Sequence, residues 1–222
     1  MDGVHDMGGR PKHFGPLKAL DRSEKPFAEP WEGRAFALTL LANRAATASN
    51  LPAFRHALER VPEKEYLADY YGRWLGSAEI LLVDSGLLAA GAVEARAKTL
   101  RGEKVEEPAD PKPHKPTMES GGGGNLRTID APRAFAVGDR VTTSATGPTG
   151  HTRLPGYART KVGTITALRP AQVFPDTTAH FVAENPQHVY SVTYDAHDLW
   201  GAGSEPFSLT LDLYESYLER VQ

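Results

Sequence analysis

An α+β chain in two lobes, helices first and strands after, is what the sequence predicts, from two observations. The spacing of apolar residues follows the helical period of about 3.6 in the first half and switches to 2 in the second. Between them, residues 103–130 are rich in proline, charge and glycine, with four consecutive glycines at 121–124. Such a stretch buries too little apolar area to order itself. The expected division is an N-terminal arm and helical domain at 1–102, a flexible linker at 103–130 and a C-terminal domain at 131–222.

Residues 1–29 scatter Phe14, Leu17, Leu20 and Phe27 among glycines and prolines without any period. They read as an extended arm laid on another surface. Trp31, Ala35, Leu38, Leu41 and Ala42 then keep one face of a first helix. Asn50 is placed to cap a second, with Pro52 in its first turn, where a missing N–H costs nothing. Phe54, Leu58 and Val61 form the apolar stripe of that helix. Tyr71, Trp74, Leu75, Ala78, Leu81 and Leu82 make a longer stripe, stopped by Gly86. An alanine-rich helix over 89–101 closes at Gly102. Beyond the linker, Phe135-Ala136-Val137-Gly138-Asp139-Arg140-Val141 reads as a turn into a strand. Segments 161–168 and 188–194 are rich in Val, Ile, Thr and Tyr, and 207–213 alternates apolar and polar without a break. Short strands separated by Gly/Pro loops, with no helix between them, predict a small antiparallel β-barrel.

Composition excludes several functions. The 25 basic and 28 acidic residues give a net charge of −3, and the segment 131–222 holds seven Lys/Arg against nine Asp/Glu. No basic field attracts nucleic acid or an anionic membrane. The absence of cysteine removes disulfides, thiol catalysis and zinc–thiolate sites. No secretory leader pattern and no apolar run of about 18–20 residues is present, so the chain is expected to be cytoplasmic.

A complete catalytic site is not visible. The histidines at 5, 13, 56, 114, 151, 180, 188 and 197 read as unpaired at helical ligand spacing, so no metal site is expected in this chain. There is no Gly-x-Ser-x-Gly elbow and no phosphate-binding glycine loop. Two arginines stand out by setting. Arg55 follows Phe54 at the edge of an apolar helix face, where it is also i,i+4 to Glu59. Arg153 sits in a restricted loop between Gly150-His151 and Leu154-Pro155. Periodicity alone leaves both open to a plain solvated role.

Longer runs carry more. Met1-Asp2-Gly3-Val4-His5-Asp6-Met7-Gly8-Gly9, Phe54-Arg55-His56-Ala57-Leu58-Glu59-Arg60 and Gly150-His151-Thr152-Arg153-Leu154-Pro155 come in this order. Tyr70-Tyr71-Gly72-Arg73-Trp74, Phe174-Pro175-Asp176-Thr177, Leu199-Trp200-Gly201 and Asp212-Leu213-Tyr214-Glu215-Ser216-Tyr217 lie among and beyond them. With these runs the chain resembles the β subunit of nitrile hydratase, a lyase that hydrates nitriles to amides. The resemblance implies an arm, a helical lobe and a C-terminal barrel of the Src-homology type, wrapped around an α subunit. Cysteines of that α subunit would bind a non-corrin cobalt or a non-haem iron, and two of them would be oxidised to sulfinic and sulfenic acids. The metal would act as a Lewis acid on the nitrile or supply a hydroxide, with the sulfenate a candidate nucleophile.

Arg55 and Arg153 match the β-subunit arginines that hydrogen-bond those sulfur oxygens. A planar, permanently charged guanidinium suits the task because it donates a fork of hydrogen bonds to an oxyanion. Phe36, Leu51, Phe54, Tyr70 and Trp74 match the substrate pocket, with Tyr70 expected to donate a hydrogen bond or relay a proton. A shortened interval after Arg55 leaves Tyr70 and Tyr71 both open for that place. Trp74 points to cobalt rather than iron. The implied partners are the α subunit, in an αβ heterodimer paired into a heterotetramer, a small nitrile and a metal-insertion accessory protein. One alternative is a subunit of a thiocyanate-hydrolase-like enzyme, although there the two lobes would be separate chains. Another, from a different class, is a small-barrel binding module suggested by Gly138-Asp139-Arg140-Val141 and Lys161-Val162-Gly163-Thr164-Ile165, against which the acidic balance speaks.

Overall fold

The structure, a computed structural model, describes residues 3–14, 25–114, 116–118 and 124–221. Leu17 and Leu20 of the arm and three of the four linker glycines lie outside the described residues. The chain separates into two compact units, Met1–Gly15 with Met118–Gln222, and Pro16–Thr117. It is a mixed fold of helices and one antiparallel sheet, and no described helix is long and apolar enough to cross a membrane.

The helical unit contains α1 (Pro30–Thr47), α2 (Leu51–Arg60), α3 (Glu63–Ala68), α4 (Tyr70–Asp84) and α5 (Ala92–Leu100). Caps follow the local chemistry. Asn50 Oδ1 accepts from Ala53 N at 3.1 Å, with Pro52 in the first turn of α2. The last turn of α4 closes through Leu87 N donating to Leu82 O at 2.8 Å, and Gly86 takes φ +65° just past the end. A Cβ on Gly86 would stand 2.8 Å from the carbonyl oxygen of Lys112, and His114 N donates to Ser85 O at 2.9 Å. This part of the expected linker therefore lies along the end of α4.

The buried face of α1 differs from the sequence expectation. Ala35, Thr39, Ala42, Asn43, Ala46 and Thr47 are buried, while Leu38 and Leu41 are 57% and 66% exposed. Small side chains let α4 approach α1 closely. The polar members of the face are satisfied within the helix, Thr39 Oγ1 donating to Ala35 O and Thr47 Oγ1 to Asn43 O, both at 2.8 Å. Hydrophobic patterning misreads such a face because the larger leucines dominate it.

The sheet unit holds β1 (Leu126–Arg127), β2 (Arg140–Thr143), β3 (Val162–Gln172), β4 (Gln187–Asp195), β5 (Ser208–Tyr214) and β6 (Leu218–Arg220). Strands run in the order β5-β4-β3-β2-β6, all pairs antiparallel, with β1 added on β3. A 3-10 turn, Glu215–Tyr217, joins β5 to β6 at the two ends of this path. Pro170 sits inside β3 where the register with β4 shifts between Arg169 and Gln172, so its missing N–H breaks no ladder bond. Val141, Ile165, Tyr190, Val192, Tyr194 and Leu213 form the core of this unit, each no more than 1% exposed. Each apolar side chain so buried contributes roughly 1.5–3 kcal/mol. Two short helices, α6 (Pro175–Thr178) and α7 (Ala196–Trp200), interrupt the strands where none was expected. At four and five residues they are too short to display a helical period.

The described part of the arm lies on the sheet unit. Residues 3–14 find burial within their own chain. Val4 is 5% exposed, the Asp6 carboxylate accepts from Gly156 N at 2.9 Å, and Trp200 Nε1 donates to Gly8 O at 2.7 Å. Phe14 meets Trp200 edge-on at 6.2 Å.

Candidate functional site

In the helical unit, Phe36 of α1, Phe54 of α2 and Tyr70 and Trp74 of α4 form one cluster of rings. Trp74 is its hub, with centroids 5.3 Å from Phe36, 5.3 Å from Phe54 and 6.0 Å from Tyr70. Such tilted and edge-on contacts each add about 0.5–1.5 kcal/mol to simple burial. Leu51, the first residue of α2, is 39% exposed and has no ring to stack. Arg55 follows the buried Phe54 on α2 and is itself exposed.

The two tyrosines at the start of α4 are placed differently. Asp69 caps the helix, its Oδ1 accepting from Gly72 N at 2.7 Å. Tyr71 turns inward, stacks against Phe27 at 5.2 Å and donates its hydroxyl to Pro26 O at 3.3 Å. Tyr70 is 56% exposed, with its ring perpendicular to that of Tyr71 and the Arg73 guanidinium 4.8 Å from its centroid.

In the sheet unit, Arg153 lies on the long connection from β2 to β3. Gly150 enters this loop at φ +117°, and a Cβ there would stand 2.5 Å from His180 Nε2. That nitrogen accepts from His151 N at 3.2 Å, so the His180 ring carries its proton on Nδ1. His151 and Thr152 are fully buried, and Arg153 is half-buried. Tyr217 Oη accepts from Arg153 N at 3.1 Å and from Thr152 Oγ1 at 3.2 Å, and donates to the Asp176 carboxylate. Burial holds the Asp176 carboxyl above its ordinary range, opposed by the hydrogen bond from Tyr217, by the adjacent Thr152 hydroxyl and by the nearby His151. The Tyr157 hydroxyl is likewise pushed up by burial and by Asp6, while the Arg153 charge pulls it down.

Two adjoining family descriptions cover nearly the whole chain: "Nitrile hydratase beta subunit, N-terminal" matches residues 1–121, and "Nitrile hydratase beta subunit, C-terminal" matches residues 124–220. The chain belongs to the nitrile hydratase β subunit family. Relatives agree over full length. The nitrile hydratase subunit beta of Pseudomonas putida is 38% identical over 99% of both chains. The low-molecular weight cobalt-containing nitrile hydratase subunit beta of Rhodococcus rhodochrous is 34% identical over 98% of this chain and 99% of that one. The cobalt-containing subunit of Pseudonocardia thermophila is 33% identical over 100% and 97%. A solved chain of the recombinant apo-enzyme of thiocyanate hydrolase from Thiobacillus thioparus is 30% identical, with a TM-score of 0.38, over 40% of this chain and 78% of that one.

Within this nitrile hydratase β chain, the structure corrects one reading of the histidines. His56 and Glu59 are i,i+3 on α2, and Nδ1 stands 3.8 Å from Oε2, so one histidine does pair with a carboxylate at helical spacing. Sequence reasoning also gave no role to Thr152, Asp176 or Tyr217. Asp176 and Tyr217 lie in two of the family-like runs, but 41 residues apart. Only the fold joins them to the Arg153 loop.

Proposed function

We propose that this chain is the β subunit of a heteromeric nitrile hydratase that converts nitriles to amides, working with an α subunit that carries the metal. The observation that carries the reading is the ring cluster: Phe36, Phe54, Tyr70 and Trp74 converge on three helices, an apolar group against which the side chain of a nitrile would pack, and Arg55 follows Phe54 in sequence. The C-terminal unit is read as a barrel of the Src-homology type, with domain limits at 1–102, 103–130 and 131–222.

The donors of this chain do not fit a thiolate-bound metal, since it has no cysteine. Cobalt, named for two of the relatives, is assigned to the α subunit, in a cytoplasmic αβ enzyme paired into a heterotetramer. Arg55 and Arg153 each present a guanidinium fork to sulfur oxyanions of the partner's oxidised cysteines. Arg55 projects from α2 next to the buried Phe54, and the Arg153 backbone is held by its bond to Tyr217. Tyr70 is the tyrosine that faces the substrate, because the hydroxyl of Tyr71 is committed to Pro26 O. It donates a hydrogen bond or passes a proton.

Co-expression with the α subunit from the same source tests this. The complex is expected to contain stoichiometric cobalt and to form amide from nitrile, and the chain alone neither. Tightly held cobalt or iron in the isolated chain, or a cobalt-loaded complex that leaves nitriles untouched, would refute it.

A further inference from the structure

Tyr217 ends the 3-10 turn after β5 and is 5% exposed. Its hydroxyl oxygen accepts from the backbone N of Arg153 and from Thr152 Oγ1, which fills its acceptor positions. Its single proton goes to Asp176, at the start of α6. Thr152 Oγ1 in turn accepts from Leu154 N at 3.3 Å. Three consecutive residues, Thr152, Arg153 and Leu154, are thus tied to one phenol, which is seated on one half-buried carboxylate.

We propose that Tyr217 and Asp176 are positioning residues that fix the backbone from which Arg153 projects, so that the guanidinium keeps one geometry through turnover. The inference rests on the reading that Arg153 binds an oxidised cysteine of the partner. The phenol gives its only proton to Asp176, so Asp176 must present an acceptor oxygen toward it. A carboxylate does this, and so does the Oδ1 of an amide. The groups facing Asp176 are Tyr217, which donates to it, the neighbouring Thr152 hydroxyl, the Arg153 backbone, and His151, whose own backbone N is bonded to His180.

The test uses the co-expressed αβ complex. Tyr217→Phe removes the oxygen to which Arg153 N and Thr152 Oγ1 donate and should lower kcat about tenfold, with KM changed less. In an Arg153→Lys background the same change should add less than about twofold, because the side chain being positioned is gone. Asp176→Asn keeps an acceptor oxygen. It should hold kcat within a few-fold of wild type, while Asp176→Ala, which has no acceptor for the phenol, should behave like Tyr217→Phe. Equal losses from Tyr217→Phe in both backgrounds would show a merely structural role and overturn the inference, as would full kcat in Tyr217→Phe. If Tyr217→Phe does not assemble, the two Asp176 variants decide, and equal kcat in Asp176→Asn and Asp176→Ala overturns the inference. Full activity of Arg153→Lys alone would instead remove the role of Arg153 itself, and the inference with it.

Discussion

Replacing Gly150 by alanine should destabilise the sheet unit through two separable effects. At φ +117° any residue with a Cβ is strained, at a cost of about 1–3 kcal/mol. The new methyl would also lie 2.5 Å from His180 Nε2, closer than any real contact, so that ring must move. Moving it strands the buried N–H of His151, for about another 1–3 kcal/mol. The sum, roughly 2–6 kcal/mol, is a large share of the ~5–15 kcal/mol that holds a domain together. A drop in melting temperature on the order of 10 °C or more is expected for a unit of about 100 residues. Two other glycines calibrate it. Gly138 has φ +95° with nothing within 4 Å of where a methyl would stand, so Gly138→Ala reports strain alone. Gly203 has neither problem, and Gly203→Ala should stay within about 0.5 kcal/mol. Scanning calorimetry, with near-ultraviolet circular dichroism following the tyrosine-rich core, gives the series. If Gly150→Ala melts no lower than Gly138→Ala, the tight seating of the loop on His180 is wrong.

Arg55→Lys and Arg153→Lys should each lower turnover of the assembled enzyme by about tenfold to somewhat over a hundredfold, since a charge-assisted bond contributes roughly 1.5–3 kcal/mol and ~1.4 kcal/mol is tenfold in rate. Arg159→Lys is the milder control, and near-wild-type turnover in both test variants would remove the arginine assignment. On α1, Ala46→Leu should cost about 1–3 kcal/mol by overpacking a side chain that is 0% exposed, whereas Leu41→Ser at 66% exposed should be nearly neutral in the isolated chain; denaturant melts that reverse this order would restore the leucine face. Alkaline pH should unfold the sheet unit. Burial, then the bond to Glu215, pushes Tyr190 up to about 12, and burial also raises Tyr194 and Tyr217. A raised pKa gives stability that is fully present below the unfolded value of 10.0 and is lost as pH climbs through the folded one. Tyrosinate absorbance should therefore appear in two phases, the second coinciding with loss of near-ultraviolet dichroism, and a single phase near pH 10 would contradict it.

Local signals were legible in the sequence. Asn50 with Pro52, Gly86 after α4, and the alternation through 207–213 each act over a few residues, and the structure uses all three. The ring cluster was legible in part. Phe36, Phe54, Tyr70 and Trp74 could be named by resemblance, but their meeting depends on how three helices pack. The buried face of α1 was hidden because alanine and threonine carry little hydrophobic signal beside leucine. The support of Arg153 was hidden for another reason. Tyr217 reaches it across 64 residues, and no period or spacing encodes a bond of that span.

The docked arm also sets an order of events during synthesis. Asp6 waits 150 residues for Gly156, and Gly8 waits 192 for Trp200. At a translation rate of ~5–20 residues per second, the first turn of the chain stays without its seat for roughly 8–40 s after it is made. The helical unit, which spans 16–117, has been synthesised well before then. Partners that meet the nascent chain therefore find finished helices while the sheet is still unbuilt, since β5 and β6 emerge only after Trp200.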